Sequence, residues 1–245
     1  KGHDADVTCV KFMYHNDHMI STSEDCHVKI WKFSTLQCVQ TIKHYEHTLV
    51  ALAVAKNMFV IGSASGVISV WTFKDGEYSL STEFSIRNGI YPLTLTLTEI
   101  QEGNFLLAIG GTTVNLFLYC LKIQDSEVTK CQLVAQLEGH EDWIKSLAFR
   151  RMETPGDFLL ASGSQDRYIR LWRIKTNDLI DDSEEDQEKP SLLSNKKYKF
   201  KMDSDLRVVV YFEALIMGHD DWISSLKWHE TRLELLASTA DTSLI

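Results

Sequence analysis

Gly139-His140-Glu141-Asp142-Trp143-Ile144-Lys145-Ser146-Leu147 returns 79 residues later as Gly218-His219-Asp220-Asp221-Trp222-Ile223-Ser224-Ser225-Leu226. A pattern repeated at this distance marks a repeat architecture, in which each unit buries its apolar surface against the next. A third copy of the opening is Gly2-His3, followed by the alternating run Val7 to Phe12. Each opening leads to a second landmark. Asp25 lies six residues before Trp31, and Asp166 six before Trp172. The intervening Val28-Lys29-Ile30-Trp31 and Ile169-Arg170-Leu171-Trp172 alternate apolar and polar side chains, the period-2 pattern of half-buried strands. A weaker copy runs from His47 through Ser65 to Trp71, with Ser65 in place of the aspartate. The weakest runs from Gly89 through Leu106–Gly111 to Phe117, with Phe117 expected at the tryptophan position. The pattern predicts an all-β chain of repeats at about 2–43, 44–86, 87–137, 138–217 and 218–245.

The repeated residue types suit a relay of hydrogen bonds. A Trp indole N–H donates to Ser, Ser to His, and His to Asp. The candidate sets are His3, Ser21, Asp25 and Trp31 in the first repeat, and His140, Ser162, Asp166 and Trp172 in the fourth. In the fifth, His219 and Asp241 remain, with Ala237 expected at the serine position. The same types would also serve a Ser-His-Asp hydrolase. A catalytic set is needed once, beside an oxyanion hole. Recurrence next to a bulky Trp in separate repeats is what a structural role predicts. No phosphate-binding glycine loop, HExxH or GxSxG is present. The paired acids at 141–142 and 220–221 could act as acid and base, but a repeated turn favours a solvated loop.

The chain has 245 residues, 44% hydrophobic and 24% charged, with net charge −9. That balance argues against broad attraction to nucleic acid or anionic membrane. The five cysteines (9, 26, 38, 120 and 131) form no C-x-x-C pair, so neither a disulfide framework nor a common zinc pattern follows. A reducing compartment is the simpler reading. Cys9, His15, His18, Cys26 and His27 are close enough for zinc, yet the repeat explains Cys9, Cys26 and His27 as strand residues. No apolar run reaches the length of a membrane helix. The chain opens on Lys1 rather than Met, which predicts a native start upstream.

The Gly-His openings, the Asp six before the Trp, and strands ending in Trp31, Trp71 and Trp172 resemble the WD40 repeat family. Lys32, Thr72 and Arg173 stand where that family usually has Asp after the Trp. The segments 138–150, 153–157, 162–172 and 213–226, together with the acidic run 177–186, resemble more closely the WD40 subunits of the Elongator complex. The resemblance implies an incomplete seven-bladed β-propeller of about four blades plus the start of a fifth. It implies a non-catalytic scaffold without a cofactor, in the cytoplasm with the nucleus as alternative. Its partners would be the catalytic acetyltransferase-like subunit and the largest scaffold subunit, with indirect tRNA association during wobble-uridine modification. A generic WD40 interaction module is the alternative. The chain ends two residues short of a Trp expected at 247, so open strand edges should need a partner, a second fragment or a neighbouring molecule to cover them.

Residues 175–212 read as an inserted loop within the fourth repeat. Asp181 to Glu188 is acidic, and Lys189, Lys196, Lys197, Lys199 and Lys201 follow. Alternation around Tyr198 and from Leu206 to Phe212 suggests a projecting hairpin, and Ser183 before three acids suits an acid-directed kinase. Glu141, Asp142 and Trp143, with Asp220, Asp221 and Trp222, are candidate partner-binding residues, since exposed aromatic side chains beside charges anchor interfaces. The bland alternative packs each Trp against its own repeat.

Overall fold

The computed structural model describes residues 2–13, 17–86, 89–177, 196–229 and 235–240. Every regular element among them is a β-strand, and the strands form five antiparallel sheets. The first sheet holds β1 (Val7–Met13), β2 (His18–Ser23), β3 (Val28–Lys32) and β4 (Gln37–Ile42). The second holds β5 (Leu49–Ala55), β6 (Met58–Ser63), β7 (Val67–Lys74) and β8 (Glu77–Ser85). The third holds β9 (Thr94–Gln101), β10 (Asn104–Gly110), β11 (Leu116–Gln124) and β12 (Glu127–Leu137). The fourth has β13 (Ile144–Arg151), β14 (Asp157–Ser164) and β15 (Ile169–Thr176), then β17 (Arg207–Ile216), and β16 (Lys197–Lys201) outermost. In the fifth, β18 (Ile223–Trp228) pairs with β19 (Leu235–Ala240).

The first strands of successive sheets pack on one another, β1 on β5, β5 on β9, β9 on β13 and β13 on β18. This is the arrangement of propeller blades about an axis, with each blade stepping outward strand by strand. The apolar clusters lie between blades rather than inside them. One cluster joins Ile20, Ile30, Leu52, Phe59 and Trp71 of blades one and two. Another joins Leu106, Leu118, Phe158 and Trp172 of blades three and four. A blade's second strand is covered on both faces, so β6, β10 and β14 are buried at every position. That explains why these strands read as continuous apolar runs. Outer strands such as β4 alternate exposed and covered residues. In β1, Val7, Val10 and Phe12 are exposed, since no described blade precedes it.

Strand register settles which residues are equivalent. A bulge recurs at the start of the first strand, at Val7/Cys9, Leu49/Ala51, Ile144/Ser146 and Ile223/Ser225. A second recurs at the third strand, at Ile30/Trp31, Val70/Trp71, Leu118/Tyr119 and Leu171/Trp172. Tyr119, not Phe117, therefore occupies the tryptophan position of the third repeat. Phe117 lies two residues earlier, buried against blade two. In the fifth repeat Leu226 pairs with Ser238 as Leu147 pairs with Ser162, so Ser238, not Ala237, holds the serine position. Spacing alone misplaces both, because neither repeat has a third-strand tryptophan in this sequence from which to count.

The span 175–212 is less of a loop than its composition suggests. Its last part forms β16 and the start of β17, and the hairpin does not project. It lies in the plane of blade four as a fifth strand. Met202, Leu206, Val208 and Val210 are buried against blade three, which accounts for the alternation. The acidic run and Ser183 lie outside the described residues.

Blade spacing depends on small residues at one position of the second strand. A Cβ on Gly62 would lie 2.9 Å from Pro92 Cγ of the next blade, and one on Gly110 would lie 2.6 Å from Ile144 Cγ2. Gly163 faces Ile223 in the same way. Packed interiors do not yield easily to an added carbon. Gly110→Ala should therefore destabilise the fold by about 1–3 kcal/mol. Gly2→Ala, where a Cβ meets nothing within 4 Å, should be close to neutral. Urea midpoints of the two variants check this, and equal midpoints would contradict it.

Candidate functional site: the inner ends of the blades

At the inner end of blade one the Gly-His turn, the second strand and the third strand meet. His3 Nδ1 lies 2.9 Å from Asp25 Oδ2 and His3 Nε2 2.7 Å from Ser21 Oγ, while Trp31 Nε1 donates to Ser21 Oγ at 2.8 Å. Blade four repeats the geometry. His140 Nδ1 is 2.7 Å from Asp166 and Nε2 2.8 Å from Ser162 Oγ, and Trp172 Nε1 donates to Ser162 Oγ at 3.0 Å. The ionised carboxylate can only accept, so Nδ1 carries the proton. In the neutral ring Nε2 then accepts from the serine hydroxyl, whose oxygen accepts from the indole. The relay runs from Trp to Asp without an idle donor.

The aspartate also ties the turn to the hairpin behind it. Asp25 accepts from the amides of Asp4 and His27, each at 2.9 Å. Asp166 accepts from Glu141 at 3.1 Å and Tyr168 at 2.9 Å. Burial alone would push both carboxyls up. The amide donors and the histidine outweigh it and hold both below the usual carboxylate range, Asp25 well below it. Ser21 and Ser162 are buried, each capped by an indole N–H. A nucleophilic serine needs an open face toward its substrate. Neither hydroxyl has one.

Blade two solves the same problem with different residues. Register aligns Tyr45, Ile61, Ser65 and Trp71 with His140, Ser162, Asp166 and Trp172. The longer tyrosine spans the whole relay, and Trp71 Nε1 donates directly to its hydroxyl at 2.7 Å. Burial pushes the Tyr45 hydroxyl up to about 12, against the lowering effect of its Ser69 and Trp71 hydrogen bonds. Ser65 keeps the turn by bonding Ser63 at 2.7 Å. His47, the expected landmark, sits two residues away in the wall of a cavity of about 150 Å³, near His44 and Glu83, which are 2.9 Å apart. The four-residue interval from Tyr45 to Leu49, equal to that from His140 to Ile144, would have found it. His219 stands four residues before Ile223 in the equivalent turn, and Asp241 lies outside the described residues.

The cysteine and histidine residues near the first repeat are engaged separately. Cys9 Sγ donates to the Val50 carbonyl at 3.6 Å, and His18 contacts the Tyr78 hydroxyl. His15 lies outside the described residues.

Trp143 and Trp222 are placed differently from the relay tryptophans. They are 45% and 44% exposed, whereas Trp172 is 2% exposed. Each follows a turn in which the tryptophan's backbone N–H donates to the preceding aspartate side chain, Trp143 to Asp142 and Trp222 to Asp221, both at 2.7 Å. Lys145 leans from β13 across to blade five, its ammonium 5.6 Å from the centre of the Trp222 ring. The Trp222 indole thus meets Lys145 across the seam, and Trp143 stands two residues before Lys145 in the equivalent turn of blade four. Glu141 and Asp220 are exposed beside them.

Comparison with known proteins fits this architecture. The family model for the WD domain, G-beta repeat, matches residues 1–32 and 131–173. Elongator complex protein 2 of Saccharomyces cerevisiae is 61% identical over the whole chain, and that of Schizosaccharomyces pombe is 32% identical over the whole chain. The human protein of that name is 24% identical. The chain spans 32% of the length of each. The crystal structure of the computationally designed Ika8 protein superposes with a TM-score of 0.59 at 20% identity, over 94% of this chain and 54% of that one. This last likeness concerns the fold alone.

The depressed aspartates make stability depend on acid in a defined sense. A carboxyl that titrates below its unfolded value, near 3.8, stabilises the fold above that value. The contribution is lost as pH falls toward the native pKa. Asp166→Asn should lower the melting temperature at pH 7, and its melting temperature should fall less steeply than the parent's below pH ~4. Thermal melts from pH 3 to 7 check this, and parallel curves would contradict it.

Proposed function

Since the chain is a WD40-repeat protein homologous throughout its length to Elongator complex protein 2, we propose that it is part of a non-catalytic scaffold subunit of an Elongator assembly. The observation that carries this reading is 61% identity across the entire chain. Such identity covers blade surfaces as well as the buried positions that any propeller must keep. In this reading the subunit holds the catalytic acetyltransferase-like subunit and the largest scaffold subunit together. It supports modification of wobble uridines in tRNA without performing chemistry itself, and acts in the cytoplasm, with the nucleus as a second location.

Trp143 and Trp222, with Glu141, Asp142, Asp220 and Asp221, form the surface proposed for one of these contacts. Indoles nearly half exposed at adjacent blade ends are large apolar groups that a partner could cover. Tryptophan is enriched among residues that dominate interface energies. The neighbouring carboxylates favour a partner surface carrying Lys or Arg.

The test is affinity purification of the tagged full-length protein. The acetyltransferase-like and largest subunits should co-purify in near-equal amounts. The Trp143→Ala, Trp222→Ala double variant should lose at least ~10-fold of one of them, with an unchanged melting temperature. Recovery of a different stable complex would sink the Elongator reading. Undiminished recovery with the double variant would remove the two tryptophans from the interface while leaving that reading intact.

A further inference from the structure

Blade two satisfies its tryptophan with a tyrosine, and a space is left behind. Its turn differs from that of blade four at aligned positions: His44 stands at Gly139, Tyr45 at His140, His47 at Asp142 and Ser65 at Asp166. Two carboxylates are thereby lost from the turn. In blade four Asp166 accepts from the amides of Glu141 and Tyr168, and in blade one Asp25 accepts from those of Asp4 and His27. The aligned amides in blade two belong to Glu46 and Val67. Ser65 has no carboxylate to offer them, and its hydroxyl is bonded to Ser63 Oγ at 2.7 Å. Among the described residues the Glu46 amide finds no acceptor. Beside it opens the cavity of about 150 Å³, whose lining includes Glu46, His47, Ser63, Ser65 and Val67.

We propose that this cavity binds a single carboxylate, from a free small acid or from an acidic side chain of a partner, in the place that Asp25 and Asp166 fill in their own blades. The donors are the backbone N–H groups of Glu46 and Val67 and the Ser65 hydroxyl. With Ser63 donating to Ser65, the Ser65 proton is left for the ligand. Backbone amides that converge in a turn suit an anion, and hydrogen bonds to an ionised acceptor are the stronger kind. A water takes about 30 Å³ of the liquid, so the cavity has room for a carboxylate with waters beside it. Two glutamates also line the cavity. Glu46 stands where Glu141 and Asp4 stand, and each of those sits beside an aspartate that accepts from its amide. Glu83 is already engaged, with His44 Nε2 2.9 Å from its Oε2 and Ser69 Oγ donating to the same oxygen at 3.2 Å. A cationic ligand fits less well, because it would leave the Glu46 amide without an acceptor.

The experiment is hydrogen–deuterium exchange of the full-length protein, read by mass spectrometry on the segment 44–49, which carries the Glu46 amide. The probes, at constant ionic strength, are acetate, acetamide, inorganic phosphate and a blocked Gly-Asp-Gly tripeptide. Acetate at about ten times its dissociation constant should slow one amide of the segment about 10-fold, since that amide then exchanges only from the unbound fraction. Acetamide, which has the shape without the charge, should leave it unchanged. Protection by the tripeptide at a lower concentration than acetate assigns the site to an acidic side chain, and protection by acetate alone assigns it to a free small acid. Ser65→Asp supplies the carboxylate from the chain itself. It should slow the same amide without ligand and remove the response to acetate. Ser65 is exposed, so a melting temperature no lower than the parent's confirms that the variant is folded. The proposal is overturned if ~100 mM acetate gives no protection, if acetamide protects equally, or if acetate protects the Ser65→Asp variant as it does the parent. Stronger protection by phosphate than by acetate would overturn the choice of a carboxylate in favour of a tetrahedral anion.

Discussion

A buried indole N–H must have an acceptor, and that requirement organises the inner end of the blades. The third strand places a Trp between two sheets, buried at Trp71 and Trp172 and half-buried at Trp31. In blades one and four a serine on the second strand accepts the proton, a histidine from the turn accepts from the serine, and an aspartate from the hairpin accepts from the histidine. Three segments distant in sequence are thereby fixed to one another. Leaving any link unmet would expose a buried polar group to its full desolvation penalty. Blade two shows that the constraint is the acceptor and not the residue type, since the Tyr45 hydroxyl alone satisfies Trp71.

With strands locked, the blades can pack face to face. Sheets that are apolar on both sides need a neighbour on each, and the close approach at Gly62, Gly110 and Gly163 shows how little space separates them. The exposed Val7, Val10 and Phe12 on β1 show the same sheet chemistry where no described blade covers it. Function is then left to whatever the packing does not consume. Two features stand out. One is the acidic, aromatic end of blades four and five, and the other is the cavity in the turn of blade two.

Much of this architecture is legible in the sequence. Period-2 alternation gives the strands, and the recurrence of Gly-His, Asp and Trp gives the blades and two complete relays. What escapes is register where no tryptophan anchors the count, and the substitution of one acceptor for another. Phe117 and Ala237 lie at the expected counts, but strand pairing puts Tyr119 and Ser238 at those positions. Tyr45 carries no trace of a Gly-His motif and is found by its distance from Leu49. Alternation around Tyr198 points to a hairpin but not to its place, and it lies in the sheet because Tyr198 and Phe200 pack against blade three. The exposure of Trp143 and Trp222 was also undecidable from sequence, since a Trp after a turn suits either packing or contact.

The tryptophans of the third strands are members of a hydrogen-bonded relay and those after the Gly-His turns, Trp143 and Trp222, are exposed, while Trp228 donates to the Ala148 carbonyl across the seam of blades four and five. Hydrogen exchange of the indole N–H groups, followed by NMR on the folded protein, tests this most directly. The Trp172 indole should exchange only through unfolding of its blade, while those of Trp143 and Trp222 should exchange at nearly the rate of free indole. Equal, fast exchange at Trp172 and Trp143 would mean that the relay does not hold the blade closed, and the structural assignment of the repeated residues would fail.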